Sequence, residues 1–158
     1  MRIGLGYDIH RLIDGRKLFL GGVEIPYIKG LEGYSDADVL LHAICDAILG
    51  AMGKDDIGIH FPNNDPQFKS ISSLELLHKV AVLAERSNFR IINVDSTLIL
   101  EEPKILPFRA RMKKTIASVL GIDEDRLNIK ATTQEGVGAI GRGEAIAAYA
   151  VASVEEIK

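Results

Sequence analysis

Asp8 and His10 stand two residues apart in Ile3-Gly4-Leu5-Gly6-Tyr7-Asp8-Ile9-His10, an apolar, β-prone run close to the N-terminus. Side chains two apart on a strand point to the same face, so this carboxylate and imidazole can hold one ion between them. Two ligands do not fix a metal, and His42, inside the next strongly patterned segment, is the candidate third. An Asp-His-His set leaves one zinc position open to an outside ligand, as catalytic sites do. Asp36, Asp38, Asp46, Asp56, Asp65 and Glu135 add carboxylates for a second, harder ion such as Mg²⁺. Such a set suits phosphate chemistry, because a metal neutralises charge on a phosphoryl oxygen and orients it for in-line attack. The chain has no G-x-x-x-x-G-K-[ST] loop, no nucleophile elbow and no H-E-x-x-H pair. Residue types and spacing therefore lead as far as metal-assisted phosphoryl transfer or hydrolysis.

The elements that must position these groups follow from patterning. Arg2 to Ile13 reads as a strand, Asp14-Gly15 as a tight turn and Arg16 to Leu20 as a return, which together predict a β-hairpin. Gly21-Gly22 and Pro26 mark further turns, and Ile28 to Tyr34, with Gly30 and Gly33, reads as a loop. A helix is expected from Ser35, with Asp38 completing a capping-box-like start and Leu40, Leu41, Ile44, Ala47, Ile48 and Ala51 forming its apolar stripe. Asp38, His42 and Asp46 would then share the opposite, polar face, and Gly50 and Gly53 would end the helix. Asp55 to Pro66 is a polar loop with two prolines. Ser72 with Glu75 opens a helix whose Leu76, Leu77, Val80, Leu83 and Ala84 face a core, leaving His78 exposed. Ile91 to Leu100 predicts a central strand, Pro107 to Leu120 a helix capped by Gly121, and Arg126 to Thr132 a short strand.

Gly136-Val137-Gly138-Ala139-Ile140-Gly141 matches the dinucleotide fingerprint G-x-G-x-x-G. That fingerprint needs a βαβ unit with an acidic residue about 20 positions later, and only 17 residues follow Gly141. The glycines fit a close-approach loop edged by Thr132, Thr133, Glu135 and Arg142. Glu144 to Ile157 is ambiguous: its alanines favour a helix, while Ile146, Ala148, Ala150, Ala152 and Val154 at every second position favour a strand.

At 158 residues and 47% hydrophobic content the chain reads as a single domain, 1–158, able to bury its own core. Its 19 basic and 22 acidic residues include no block able to track a nucleic-acid backbone, so a nucleic-acid partner is not expected. No apolar run approaches the roughly 20 residues that span a bilayer, and the N-terminus lacks a signal-peptide layout. A cytoplasmic protein without a membrane partner is expected, its one cysteine, Cys45, a buried thiol in a reducing compartment.

Five motifs in order carry a family resemblance. They are the N-terminal G-x-G-x-D-x-H, Ser35-Asp36-Ala37-Asp38-Val39-Leu40-Leu41-His42, Asp56-Ile57-Gly58-Ile59-His60-Phe61-Pro62, Pro103-Lys104-Ile105-Leu106-Pro107, and Lys130-Ala131-Thr132-Thr133 with Glu135 and Gly141-Arg142-Gly143-Glu144. Together they closely resemble the 2-C-methyl-D-erythritol 2,4-cyclodiphosphate synthases, ring-closing enzymes of the non-mevalonate isoprenoid pathway. The resemblance implies an α+β subunit with a four-stranded sheet, helices packed on one side and ferredoxin-like elements, assembling as a homotrimer with active sites between subunits. It implies a strand at the C-terminus. The implied substrate is 4-diphosphocytidyl-2-C-methyl-D-erythritol 2-phosphate, whose 2-phosphate attacks the β-phosphorus and releases CMP.

By position, the resemblance implies zinc on Asp8, His10 and His42, with a substrate phosphate as fourth ligand, and Mg²⁺ or Mn²⁺ on Glu135. Thr133 would help to stabilise the transition state, and Tyr34 would contact phosphate. Ser35, Asp56, Gly58, Phe61 and Asp65 would surround the methylerythritol part, and Ile57 and Asn63 fall among the substrate-contacting positions. Leu100, Pro103, Lys104, Ile105 and Leu106, with Ala131 and Thr132, would form the cytidine pocket of the adjoining subunit. Ala139 falls among the substrate-contacting positions, and Arg142 and Glu144 would line a channel on the trimer axis. Four positions depart from the family's common pattern: Tyr34 for histidine, Ala37 for glycine, Asn63 for aspartate and Ala139 for phenylalanine. A tyrosine hydroxyl can still donate a hydrogen bond but brings no positive charge. Two rival readings are a zinc-dependent phosphoesterase and a non-catalytic trimeric protein that binds metal or isoprenoid phosphate.

Overall fold

A computed structural model describes residues 1–157. The chain runs β1 (Arg2–Asp14), β2 (Leu18–Leu20), β3 (Val23–Ile25), β4 (Lys29–Leu31), α1 (Val39–Ala51), α2 (Ile57–His60), α3 (Ser73–Arg86), β5 (Phe89–Ile99), α4 (Arg109–Leu120), β6 (Leu127–Thr132), α5 (Gly138–Gly141) and β7 (Ala145–Glu156). Five strands form one sheet in the order β4-β1-β7-β5-β6. All pairs are antiparallel except β5–β6, which α4 joins by a crossover.

The architecture is α+β, with five strands where four were expected, because Lys29–Leu31 pairs with Leu12–Asp14 at the sheet edge. This also corrects the reading of Ile28 to Tyr34 as a loop. The predicted hairpin does not form either: β1 pairs with β7 from Arg2↔Val154 to Arg11↔Ala145, while β2 pairs with β3 in a separate ribbon. A 13-residue strand returned by a three-residue one would leave most of its backbone groups unpaired, and the 12-residue β7 satisfies them. The long strands and helices follow the order β-α-α-β-α-β-β, so the expected ferredoxin-like sequence β-α-β-β-α-β is absent.

β7 resolves the C-terminal ambiguity. Ala148, Ala150, Ala152 and Val154 point inward, and Tyr149 and Val151 point out. The alanines that favour a helix by propensity serve here as small residues on a strand over which α1 packs closely.

α1 starts at Val39 instead of Ser35, with Asp38 as N-cap accepting from Leu41 N at 3.2 Å. Asp38 also accepts from Gly21 N at 3.0 Å and Gly22 N at 2.7 Å, so one carboxylate caps a helix and holds a turn. It is fully buried, as are most residues of α1, because the helix lies between the sheet and α3. The polar stripe of Asp38, His42 and Asp46 therefore turns mostly to the interior and is not a solvated helix face. Asp46 is half-buried and accepts from Ile57 N at 2.8 Å, tying α2 to α1. α3 begins as expected at its Ser72 cap, and Gly121 ends α4 in the left-handed conformation. Pro107 sits in a 3₁₀ turn, Leu106–Phe108, ahead of α4.

Candidate metal centre and substrate cavities

Gly4, Gly6, Asp8 and His10 share one face of β1, and α1 lies on it. A Cβ at Gly4 would stand 2.1 Å from the Ala47 carbonyl oxygen, and one at Gly6 1.9 Å from that of Ala43. The two glycines thus let the helix backbone rest directly on the strand, which carries His42, in the first turn of α1, to Asp8 and His10. His42 Nδ1 lies 3.0 Å and His10 Nε2 2.9 Å from Asp8 Oδ2, and the two nitrogens are 3.2 Å apart. One donor atom from each residue falls within 4.8 Å of the others.

The electrostatics of this cluster favour a cation at its centre. His10 Nδ1 donates to the Glu32 carbonyl at 2.7 Å; a carbonyl can only accept, so Nε2 of the neutral ring presents a lone pair to Asp8. Burial pushes the Asp8 carboxyl up, but hydrogen bonds and charge from His10 and His42 outweigh it and hold it well below the usual carboxylate range. Burial pulls His10 down, and the Asp8 bond and charge with the Glu32 carbonyl raise it above its ordinary value. Two imidazoles and one carboxylate converging from two elements form a donor set that fits zinc.

A cavity of about 220 Å³ opens beside the triad, lined also by Tyr34, Ser35, Ile57, Gly58, Phe61 and Asn63. Asp56 and Asp65 do not line it. Their carboxylates cap short helices, Asp56 accepting from Gly58 N at 2.8 Å and Asp65 from Gln67 N at 3.0 Å. The Tyr34 hydroxyl donates to the Asp65 carbonyl at 3.3 Å. Ala37, where a glycine was the expected pattern, has φ +59°, the left-handed region that favours glycine.

A second cavity, of about 330 Å³, is lined by Leu100, Pro103, Lys104, Ile105, Leu106, Ala131, Thr132 and Thr133, with Glu101 and Arg109. It shares no residue with the first. Glu101 accepts from Gln134 N at 2.7 Å and holds the loop on which Thr133 Oγ1 donates to Glu135 Oε1 at 3.2 Å. Ala139 and Glu144 border a third hollow with Ile9 and Arg11, and Arg142 Nε donates to Glu144 at 2.8 Å. Within one chain the predicted residues therefore fall into separate groups. The Gly136–Gly141 run forms a turn and the four-residue α5 before β7, with no βαβ unit for a dinucleotide.

Two groups at the centre were missed. Ser73, fully buried, lies 2.9 Å from His42 Nε2, and Glu32 acts through its carbonyl. A serine next to a helix cap carries no sequence signal of such a role, and a backbone carbonyl carries none at all.

An α+β subunit with a candidate Asp-His-His metal centre beside a cavity defines the class: a small domain whose donor set could take a divalent cation. Residues 1–155 match the family model described as the YgbB family. The chain is 58% identical over 151 residues to the 2-C-methyl-D-erythritol 2,4-cyclodiphosphate synthase of Syntrophotalea carbinolica, covering 96% of this chain and 92% of the relative. It is 55% identical over 155 residues to that of Desulfatibacillum aliphaticivorans, covering 98% and 100%. Among solved structures it resembles the bifunctional IspDF of Campylobacter jejuni with a TM-score of 0.95 at 39% identity, over 99% of this chain and 42% of that longer one. It resembles a CDP complex of IspF from Plasmodium falciparum with a TM-score of 0.86 at 38% identity, over 99% and 97%. The chain belongs to the YgbB family, the family of the 2-C-methyl-D-erythritol 2,4-cyclodiphosphate synthases.

Proposed function

We propose that this chain converts 4-diphosphocytidyl-2-C-methyl-D-erythritol 2-phosphate into 2-C-methyl-D-erythritol 2,4-cyclodiphosphate and CMP, in the non-mevalonate route to isoprenoids. One observation carries the reading: Asp8, His10 and His42 converge beside a cavity in a chain matched end to end by proteins named for this reaction. The 2-phosphate oxygen forms a bond to the β-phosphorus. The bond from that phosphorus to the bridging oxygen breaks, and CMP leaves with the oxygen and its electron pair.

Asp8, His10 and His42 would hold zinc, which when bound polarises and orients a phosphate oxygen. Ser35, Ile57, Gly58, Phe61 and Asn63 enclose the methylerythritol part, with Asp56 and Asp65 shaping the loops around it. Tyr34 offers phosphate a neutral donor. Leu100, Pro103 to Leu106, Ala131 and Thr132 form the cytidine pocket, a role supported by the 330 Å³ cavity they line and by the CDP complex of the Plasmodium relative. Glu135 would hold Mg²⁺ or Mn²⁺, since such ions are commonly bound by one or two carboxylates plus substrate phosphates, and the ion would neutralise phosphate charge. Thr133 places a hydroxyl beside that charge. Ala139 and Arg142 complete the surroundings near the diphosphate and the threefold axis.

The working molecule in this reading is a cytoplasmic homotrimer, supported by an apolar sheet face turned away from the helices. Ile3, Leu5, Tyr7, Ile9, Tyr149 and Val151 stand exposed there side by side on the paired strands β1 and β7, and contiguous exposed apolar residues of this kind mark interaction surfaces. A neighbouring subunit would bring its cytidine pocket to the metal-side cavity. No helix among the described residues is long and apolar enough to cross a membrane. The test is incubation with the cytidylyl substrate, zinc and Mg²⁺, followed by mass spectrometry: CMP and the cyclic diphosphate are expected in equal amounts. Inorganic phosphate would point to a phosphoesterase, and unchanged substrate with zinc-loaded protein would leave a binding protein.

A further inference from the structure

We propose that Ser73, oriented by Asp36, is a positioning residue that decides which nitrogen of His42 faces the metal; this rests on the metal reading of the triad above. His42 Nδ1 points to Asp8, and on its other side Nε2 lies 2.9 Å from Ser73 Oγ and 3.3 Å from Ser35 Oγ. Ser73 is the first residue of α3 and fully buried. Its N–H donates to Asp36 Oδ2 at 3.0 Å, and its hydroxyl donates to Asp36 Oδ1.

The direction of these bonds follows from counting protons. A carboxylate only accepts, and a serine hydroxyl has one proton to give. With that proton on Asp36, Ser73 Oγ can only accept from His42, so Nε2 must carry the hydrogen and Nδ1 of the neutral ring is bare. Ser35 Oγ accepts from Ala37 N at 3.0 Å and its own proton is free to turn to the cavity it lines, so it leaves the direction to Ser73. The Asp36–Ser73 pair thus does for His42 what the Glu32 carbonyl does for His10: it turns a lone pair toward Asp8. Loss of such outer partners costs about 10–100-fold in metal affinity.

Asp36 Oδ1 also accepts from Asp38 N at 3.2 Å, so an asparagine could keep its carbonyl there and preserve the relay. Asp36→Ala instead removes the acceptor: the Ser73 hydroxyl proton then turns to His42 Nε2 and the ring proton moves to Nδ1. Ser73→Ala removes the relay outright. Zinc affinity is measured by chelator competition and the ring tautomers by ¹⁵N-histidine NMR, with circular dichroism as a check on folding. Both variants are expected to bind zinc about 10–100-fold more weakly than wild type while keeping its dichroism spectrum, and metal-free Asp36→Ala at about pH 8 to show Nδ1–H on His42. Unchanged zinc affinity in folded Asp36→Ala overturns the relay and leaves the metal centre standing. Should the variants not fold, metal-free wild type decides alone: Nε2–H on His42 supports the relay and Nδ1–H overturns it. A wild-type protein that takes up no zinc overturns the metal reading and the relay with it.

Discussion

At Asp8 and His10 the residues' own titration sets a pH dependence. Asp8 is depressed below its ordinary value and His10 raised above 6.5, each by the other against the opposing effect of burial. Stability from the raised His10 is fully present below pH 6.5 and is lost as pH rises through its folded value. Stability from the depressed Asp8 is present above 3.8 and is lost as pH falls through its own. Zinc needs both imidazoles unprotonated, so it replaces the proton where the proton leaves. Metal-free protein should therefore melt progressively lower as pH rises from about 6.5, whereas zinc-loaded protein should not, by thermal scans with chelator or zinc. A metal-free melting temperature that rises over that range would contradict the pairing. His42→Ala should lose most of its zinc by elemental analysis, and full occupancy would place the third ligand elsewhere. Tyr34→Phe should lower kcat/KM by up to about tenfold, the scale of one neutral hydrogen bond; no change in turnover or substrate affinity would remove that hydroxyl from the chemistry.

Between elements, the decisive contact is β1 against α1. Gly4 and Gly6 on the strand meet Ala47 and Ala43 on the helix, and this close approach sets the reach of His42. Gly6→Ala should destabilise the fold by more than about 3 kcal/mol, because the added methyl meets backbone and cannot be relieved by a rotamer change. Denaturant unfolding measures that loss. Any folded fraction should bind zinc poorly even though all three ligands are intact, and a variant of wild-type stability and zinc affinity would show that the helix has room to move.

For the whole molecule, the helix-free face of the sheet and the separation of the two cavities argue that one chain is an incomplete catalyst. Tyr7 and Tyr149 stack on that face with ring centroids 4.7 Å apart, and Leu5 stands exposed beside them. In the proposed trimer Leu5→Arg would place a charge in the subunit contact, so that sedimentation should report trimers for wild type and monomers for the variant. Such monomers should keep their zinc and lose most turnover. A monomeric variant with full activity would show that each chain carries a complete site.

The local chemistry was legible in the sequence because it depends on short-range periodicity. Asp8 and His10 share a strand face by the pleat, and Ser72 and Gly121 announce helix ends through backbone groups a few residues away. Tertiary structure decided the rest. β1 takes a partner from the far end of the chain, and a strand's choice of partner depends on which backbone groups remain unpaired across the whole sheet. Asp38, a helix-start residue by sequence, became a buried double cap because the Gly21-Gly22 turn, distant in sequence, shares its carboxylate with the start of α1. The alanines of β7, a helix by propensity, became strand because only small side chains let α1 settle on the sheet. Sequence by itself named the three candidate metal ligands; the glycine-floored packing of α1 on β1 brought them together, and the proton order proposed for Ser73 and Asp36 could be read only once residues some thirty positions apart had been brought within hydrogen-bond distance.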